Sequence, residues 1–176
     1  HYISPSEFLR KIFVRAGWDK KRISVVRNPV VIPRNAFFQD KNYVAYIGRL
    51  SSEKGLDVLL SAAAKTPDIS YKIVGNGPEY IHLQAIAVDN GLKNVHFCGW
   101  QTGENLVELY AGARLLVVPS VWYENCPLGI LEAKSFGKIV LASRIGGIPE
   151  MLDKRFLFPA GDSDALAELI KKYHSN

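Results

Sequence analysis

The stretch LLVVPSVWYENCPLGILEAKSFG, residues 115–137, reads as a strand, a polar loop and a helix in succession. Residues 115–118 are a continuous apolar run, the pattern of a parallel strand buried on both faces. A helix is expected from Leu128 to Phe136. Pro127 is expected at its first position, where a missing N–H costs nothing. The leading N–H groups of such a helix have no partner inside it, and its dipole is positive at that end. The junction therefore suits an anion. Two carboxylates frame it: Glu124 in the loop, and Glu132 about 7 Å along the helix axis from Pro127 at ~1.5 Å per residue. A carboxylate can accept from two vicinal hydroxyls at once. One acid beside a sugar, one beside a ribose and phosphate between them is a coherent layout. A capping Glu and a solvated helix Glu is the plain alternative, and two acids eight apart do not by themselves decide between the two.

The same alternation continues on either side. Apolar strands are expected at residues 22–27, 43–47, 70–74, 95–98, 138–142 and 156–158. Helices are expected before Gly17 (capped by Ser4 or Ser6), from Leu56 through Ala63, and at 79–90, 104–111 and 162–173. A short one is expected after Gly146-Gly147, and the last helix is capped by Asp162 or Ser163. Residues 33–42 read as an irregular connection. Strands apolar on both faces and alternating with helices imply a doubly wound α/β domain with a parallel, Rossmann-like sheet. In such sheets ligands bind beyond the carboxyl ends of the strands, so the informative loops follow Ile47, Val74, Phe97, Val118 and Ala142.

The chain has 176 residues, enough for one domain with a sizeable core. Its net charge of +5 is scattered, which favours anionic ligands weakly and does not imply nucleic acid. The two cysteines, Cys98 and Cys126, have neither disulfide-scaffold nor metal-ligand spacing, so a reducing, cytoplasmic setting is expected. There is no signal-peptide pattern, and no apolar run is long enough to cross a bilayer; peripheral attachment to a membrane stays open.

The loops supply further candidates. Arg49 and Lys54 follow the strand at 43–47, with flanking glycines that let a ligand approach the backbone. A forked donor and a point charge suit a diphosphate, although two such cations in a polar loop are also ordinary surface. Gly75-Asn76-Gly77 is half a dinucleotide fingerprint, with Tyr80 where the third glycine would stand, and alone it reads as a tight turn. Gly146-Gly147 with Glu150 likewise reads as a close backbone approach or a turn. His82, His96 and His174 show no partner pattern.

Together and in order these pieces resemble the retaining glycosyltransferases of the large GT-B family often called family 4. The matching residues are Gly48-Arg49-Leu50 with Lys54-Gly55, Val74-Gly75-Asn76-Gly77-Pro78, and Val95-His96-Phe97-Cys98-Gly99. They continue with Pro119-Ser120, Glu124 and Glu132 spaced as E-x7-E, Gly137-Lys138, Gly146-Gly147-Ile148-Pro149-Glu150, and Pro159-Ala160-Gly161-Asp162. The resemblance spans nearly the whole chain. Three departures bear on subfamily: Pro29 where Gly is usual after Asn28, Ile139 in place of a common proline, and a short turn at Asp153-Lys154-Arg155.

The resemblance implies the C-terminal, donor-binding domain of a two-domain enzyme, with residues 1–17 as the interdomain segment and the N-terminal acceptor domain absent. It implies that Arg49 and Lys54 neutralise the diphosphate of a UDP-, GDP- or ADP-sugar, that Glu124 contacts the transferred sugar and that Glu132 holds the ribose. Backbone around Pro127, Leu128 and Gly129 would help hold phosphate and sugar. Gly48, Gly75, Gly77 and the strand end at Phe97 would line the nucleotide site. No metal is expected, nor any other cofactor; the partners are the donor, the missing domain and an acceptor saccharide or lipid. Two other readings remain open at this point. One is a non-catalytic nucleotide-sugar-binding module. The other is a glycoside hydrolase using Glu124 and Glu132, which has no need of Arg49 and Lys54.

Overall fold

The computed structural model describes residues 1–30 and 39–175. Much of the connection expected across 33–42 lies outside them. The main body is a sheet of six parallel strands: β3 (Tyr43–Ile47), β4 (Ser70–Val74), β5 (Val95–Gly99), β6 (Ala113–Val118), β7 (Ile139–Ser143) and β8 (Leu157–Phe158). Their spatial order is β5-β4-β3-β6-β7-β8. The chain therefore enters the sheet in the middle, winds outward to β5, returns to lay β6 on the other side of β3, and winds outward again. The order reverses between β3 and β6, and the crevice there is where a sheet of this kind receives ligand.

The apolar runs of the central strands β3, β6 and β7 are continuous because each serves two cores. On β3, Val44 and Tyr46 face one side while Tyr43 and Ala45 face the other. On β6, Leu115 and Val117 oppose Leu116 in the same way, and on β7 Leu141 opposes Val140 and Ala142. This is the period of two expected of a strand, with neither face of these three left to solvent. The first core is closed by α2 (Leu56–Ala64), α3 (Tyr80–Asp89) and α6 (Ser163–His174). The second is closed by α4 (Gly103–Gly112) and α5 (Leu128–Ser135). Asp162 is the cap of α6, accepting from the Ala165 N–H at 2.9 Å.

Outside the main body lies a smaller unit, β1 (Tyr2–Ser4), α1 (Glu7–Arg15) and β2 (Ile23–Val25). Its two strands pair in parallel with each other, Tyr2 opposite Ile23, and not with the six-stranded sheet. Ser6 rather than Ser4 caps α1, accepting from the Leu9 N–H at 3.1 Å.

Several expectations are corrected. β1 is a strand the sequence did not announce, since three residues show no periodicity. The strand expected over 22–27 is only Ile23–Val25, because Lys20–Arg22 form a 3-10 turn held by Asp19, which accepts from the Lys21 N–H at 2.9 Å. Pro127 is the cap of α5 and not its first residue: its ψ of 121° is extended, and the helix begins at Leu128. A proline φ of −62° fits either position, so the ring alone does not place the boundary. The short helix after Gly147 is a single 3-10 turn, Ile148–Glu150.

Candidate active site

The loop after β3 is built around Leu50, which is fully buried and anchors an otherwise polar segment. The Tyr46 hydroxyl donates to the Arg49 carbonyl at 2.6 Å, and the Leu50 N–H to the Asn76 carbonyl at 2.9 Å. The loop then turns through Ser52–Lys54 to Gly55, whose φ of 64° is left-handed. A Cβ there would lie 2.3 Å from the Pro119 carbonyl oxygen. Only glycine lets the two loops flanking the switch point come this close. The Val121 N–H to Glu53 carbonyl bond, 3.0 Å, closes the contact.

That contact delivers Lys54 to Glu124. Lys54 Nζ donates to Glu124 Oε1 at 2.6 Å, and Ser120 Oγ, itself buried, donates to the same oxygen at 2.8 Å. The two charged side chains keep 27 % and 16 % of their surface accessible, so the pair is partly desolvated yet reachable from solvent. The backbone of Glu124 is held from a third direction, its carbonyl accepting from the Gly147 N–H at 2.6 Å. Loops following β3, β6 and β7 thus converge on one residue.

The other expected residues fall into three groups. Arg49 shares the loop of Lys54 but is exposed, and its side chain forms no hydrogen bond or ion pair among the described residues. Pro127, Leu128 and Gly129 bring the start of α5 to the same end of the sheet. A Cβ on Gly129 would meet the Ile47 carbonyl oxygen, at the end of β3, at an ordinary 3.6 Å. Gly48, Gly75 and Gly77 form the seam between the loops after β3 and β4. A Cβ on Gly75 would lie 1.8 Å from the Gly48 carbonyl oxygen, and one on Gly77 2.1 Å from that of Leu50. Close approach of protein backbone to protein backbone is what demands glycine there.

Glu132 has a hydrogen-bond partner of its own. Its Oε2 accepts from the Tyr110 hydroxyl at 2.6 Å. Tyr110, in the last turn of α4, is buried. That burial, reinforced by the Glu132 charge and hydrogen bond, pushes its phenol well above its ordinary range and keeps it a donor. Sequence reasoning missed Tyr110, because a tyrosine 22 residues from its partner carries no local signal. The two carboxylates therefore have different partners.

The ring of Phe97 is away from the pair. It meets Tyr80 edge-on at 5.8 Å and lines a cavity of about 380 Å³ with Ala87, Val88, Leu92 and Val95, toward the start of β5. Only its backbone belongs to the strand end. A smaller cavity, about 220 Å³, lies beside the β3 loop, but Asp57 and Glu79 line it and disfavour an anion. Among the described residues no cluster of His, Cys, Asp or Glu is arranged to hold a metal ion, and no helix is long and apolar enough to cross a membrane.

Comparison with known proteins gives this site a context. A family model described as glycosyl transferases group 1 matches residues 29–176. A sulfoquinovosyl transferase of Arabidopsis thaliana is 34 % identical over 142 residues, covering 77 % of this chain and 27 % of that protein. A D-inositol 3-phosphate glycosyltransferase of Mycobacteroides abscessus is 36 % identical over 145 residues, covering 74 % and 32 %. Among solved structures, Anabaena HepE in complex with UDP and glucose superposes with a TM-score of 0.84 at 25 % identity, covering 97 % of this chain and 52 % of that one. The chain therefore spans about a third or less of these two curated relatives, and about half of HepE.

Proposed function

The chain belongs to the glycosyl transferases group 1 family, and from that premise we propose that it is the donor-binding part of a retaining, family 4-like glycosyltransferase. In this reading it holds a nucleoside-diphosphate sugar while the sugar passes to a saccharide or lipid acceptor supplied with the N-terminal half of the fold. The observation that carries the reading is the Lys54–Glu124 pair at the switch point of the sheet, beside the start of α5.

The chemistry follows from charge. The bond broken joins the anomeric carbon to the diphosphate oxygen, and the bond formed joins that carbon to an acceptor oxygen. Negative charge grows on the leaving diphosphate and positive charge at the anomeric carbon. Lys54 has three donors, so it can keep Glu124 on one and turn another to a phosphate oxygen. Arg49, exposed on the same loop, adds a forked donor. The Leu128 and Gly129 N–H groups face the same end of the sheet. Glu124, held by Lys54, Ser120 and Gly147, is in place to contact the sugar beside the breaking bond. Glu132, oriented by Tyr110, retains an oxygen for a ribose hydroxyl. With these cations serving the diphosphate, the reaction as proposed runs without a metal. The isolated chain transfers little or no sugar, and the enzyme works in the cytoplasm, free or at a membrane surface.

HepE was solved with UDP, which makes UDP the first probe here. Calorimetry with UDP, GDP and ADP, each against its parent nucleoside, tests the site. One diphosphate binds selectively and without added Mg²⁺. Arg49→Ala and Lys54→Ala each weaken it about tenfold or more, ~1.4 kcal/mol, and leave the nucleoside nearly unaffected. Equal losses for diphosphate and nucleoside would refute the phosphate role of these two cations.

A further inference from the structure

Glu150 ends the Gly146-Gly147-Ile148-Pro149-Glu150 stretch, and the donor site as described makes no use of it. Its carboxylate reaches across the molecule to the start of α1. Oε2 accepts from the Glu7 N–H at 2.8 Å and Oε1 from the Phe8 N–H at 2.6 Å. Its backbone carbonyl accepts from Arg27 at 2.9 Å. Glu150 thus takes three hydrogen bonds from this part of the chain, two from the start of α1 and one from Arg27, two residues past β2. A carboxylate set on two free N–H groups at the positive end of a helix makes charge-assisted bonds that a neutral side chain does not reproduce.

A second contact runs beside the first. The Phe8 ring lies 5.6 Å from that of Tyr123, the residue before Glu124. Phe8 is therefore gripped at its N–H by Glu150 and at its ring by the loop that carries Glu124. Three residues before Glu150, the Gly147 N–H holds the Glu124 carbonyl. Glu150, Phe8, Tyr123, Glu124 and Gly147 form a closed circuit of contacts.

From this we infer that Glu150 is a positioning residue for the donor site. By clamping the start of α1 it keeps Phe8 against Tyr123, and so holds the loop bearing Glu124 in register with Lys54. The functional half of this inference rests on the donor-site reading; the mechanical half does not. The circuit makes the placement of the small N-terminal unit and the order of the donor loop one event.

Hydrogen exchange on the whole chain tests the coupling. In Glu150→Gln, one carboxylate oxygen becomes an NH₂ group facing a backbone N–H. Exchange at the Glu7 and Phe8 amides rises about tenfold or more, and it rises comparably at Val121, whose N–H closes the donor loop onto Glu53. Amides inside β3 and β6 keep their wild-type rates. Phe8→Ala is the companion variant: it speeds exchange at Val121 while the Glu7 amide, still on Glu150, stays protected. Faster exchange at Glu7 and Phe8 with Val121 unchanged would overturn the inference, leaving Glu150 a simple helix cap. Faster exchange everywhere in Glu150→Gln would mean loss of the fold, and Phe8→Ala then decides alone. UDP, GDP and ADP titrations on the same variants read the functional half: a weakened diphosphate with intact β3 and β6 protection is expected, and unchanged affinity would refute it. If the wild-type chain binds none of the three, the donor-site reading fails, and the exchange result at Val121 still decides the coupling.

Discussion

Gly147→Ala is the most informative perturbation of the site, because its effect separates into parts. Gly147 has a φ of −86°, which any residue adopts, so alanine suffers no backbone strain there. What it meets is space: its Cβ would lie 2.0 Å from the Asn125 carbonyl oxygen and 3.3 Å from that of Glu124. Ordinary contact begins near 3.4 Å, so the two loops must part by more than 1 Å. Overpacking of this kind costs ~1–3 kcal/mol. The 2.6 Å bond from the Gly147 N–H to Glu124 stretches with it and forfeits about 1 kcal/mol more. The expected loss is roughly 2–4 kcal/mol, a fall of about 5–15 °C in Tm for a chain of this size. Gly137→Ala is the matched control. Gly137 has a φ of 68° and nothing within 4 Å of its would-be Cβ, so it carries strain without a clash and should lose only ~1 kcal/mol. Urea unfolding gives both stabilities, and nucleotide titration gives the functional consequence. Displacing Glu124 by about 1 Å moves the Lys54 ammonium paired with it, and so should weaken diphosphate binding tenfold or more in Gly147→Ala and leave Gly137→Ala unaffected. Equal stabilities for the two variants would refute the packing argument. A destabilised Gly147→Ala with wild-type affinity would mean that Glu124 does not position Lys54 for the diphosphate.

Tyr110→Phe deletes a buried hydroxyl from Glu132 and should lower stability by ~1–3 kcal/mol in urea unfolding; no change would mean that the bond is dispensable. Asn94 Nδ2 lies 3.2, 3.1 and 3.0 Å from the carbonyls of Ala63, Thr66 and Ile69, so Asn94→Ala should cost roughly 1–2 kcal/mol by removing a donor shared among three carbonyls, two of which keep a backbone N–H partner; a loss within 0.5 kcal/mol, the ordinary range for a surface change, would refute it. Burial raises the phenols of Tyr43 and Tyr71 from the usual 10.0 to about 12. The folded state thus favours the neutral phenol, so this stability is complete below pH 10 and is lost as pH climbs through 12. For Tyr71, fully buried, the loss is on the order of 3 kcal/mol; Tyr71→Phe should flatten the alkaline fall, and an unchanged slope would count against it.

How much of this was legible in advance can be followed residue by residue. The strands at 43–47 and 70–74 were placed to the residue, because each ends at a glycine, Gly48 and Gly75, and the first is buried on both faces. Helix starts were less well marked. Pro127 suits a cap and a first turn equally, and only the path of the chain against β3 decides. Three-residue strands such as β1 lie below any periodic signal. Glu124 and Lys54 were legible as candidates from their places after strands, and their meeting agrees with the layout expected of loops flanking a switch point. Tyr110, Phe8 and Glu150 were not legible as partners of the site, since Tyr110 lies 22 residues from Glu132 and the other two reach their contacts across more than a hundred residues of intervening chain.

The sequence by itself determined the alternation of strands and helices, the parallel sheet and the loops that could carry chemistry, because those depend on local periodicity and on glycine and proline. The tertiary structure alone decided which loops touch. It put Lys54 on Glu124, Tyr110 on Glu132 and Glu150 on α1, and it turned Gly75 and Gly77 into a seam between loops. Contacts between residues far apart in the chain are set by strand order and by the close approach of backbones, and neither leaves a local mark in the order of residues.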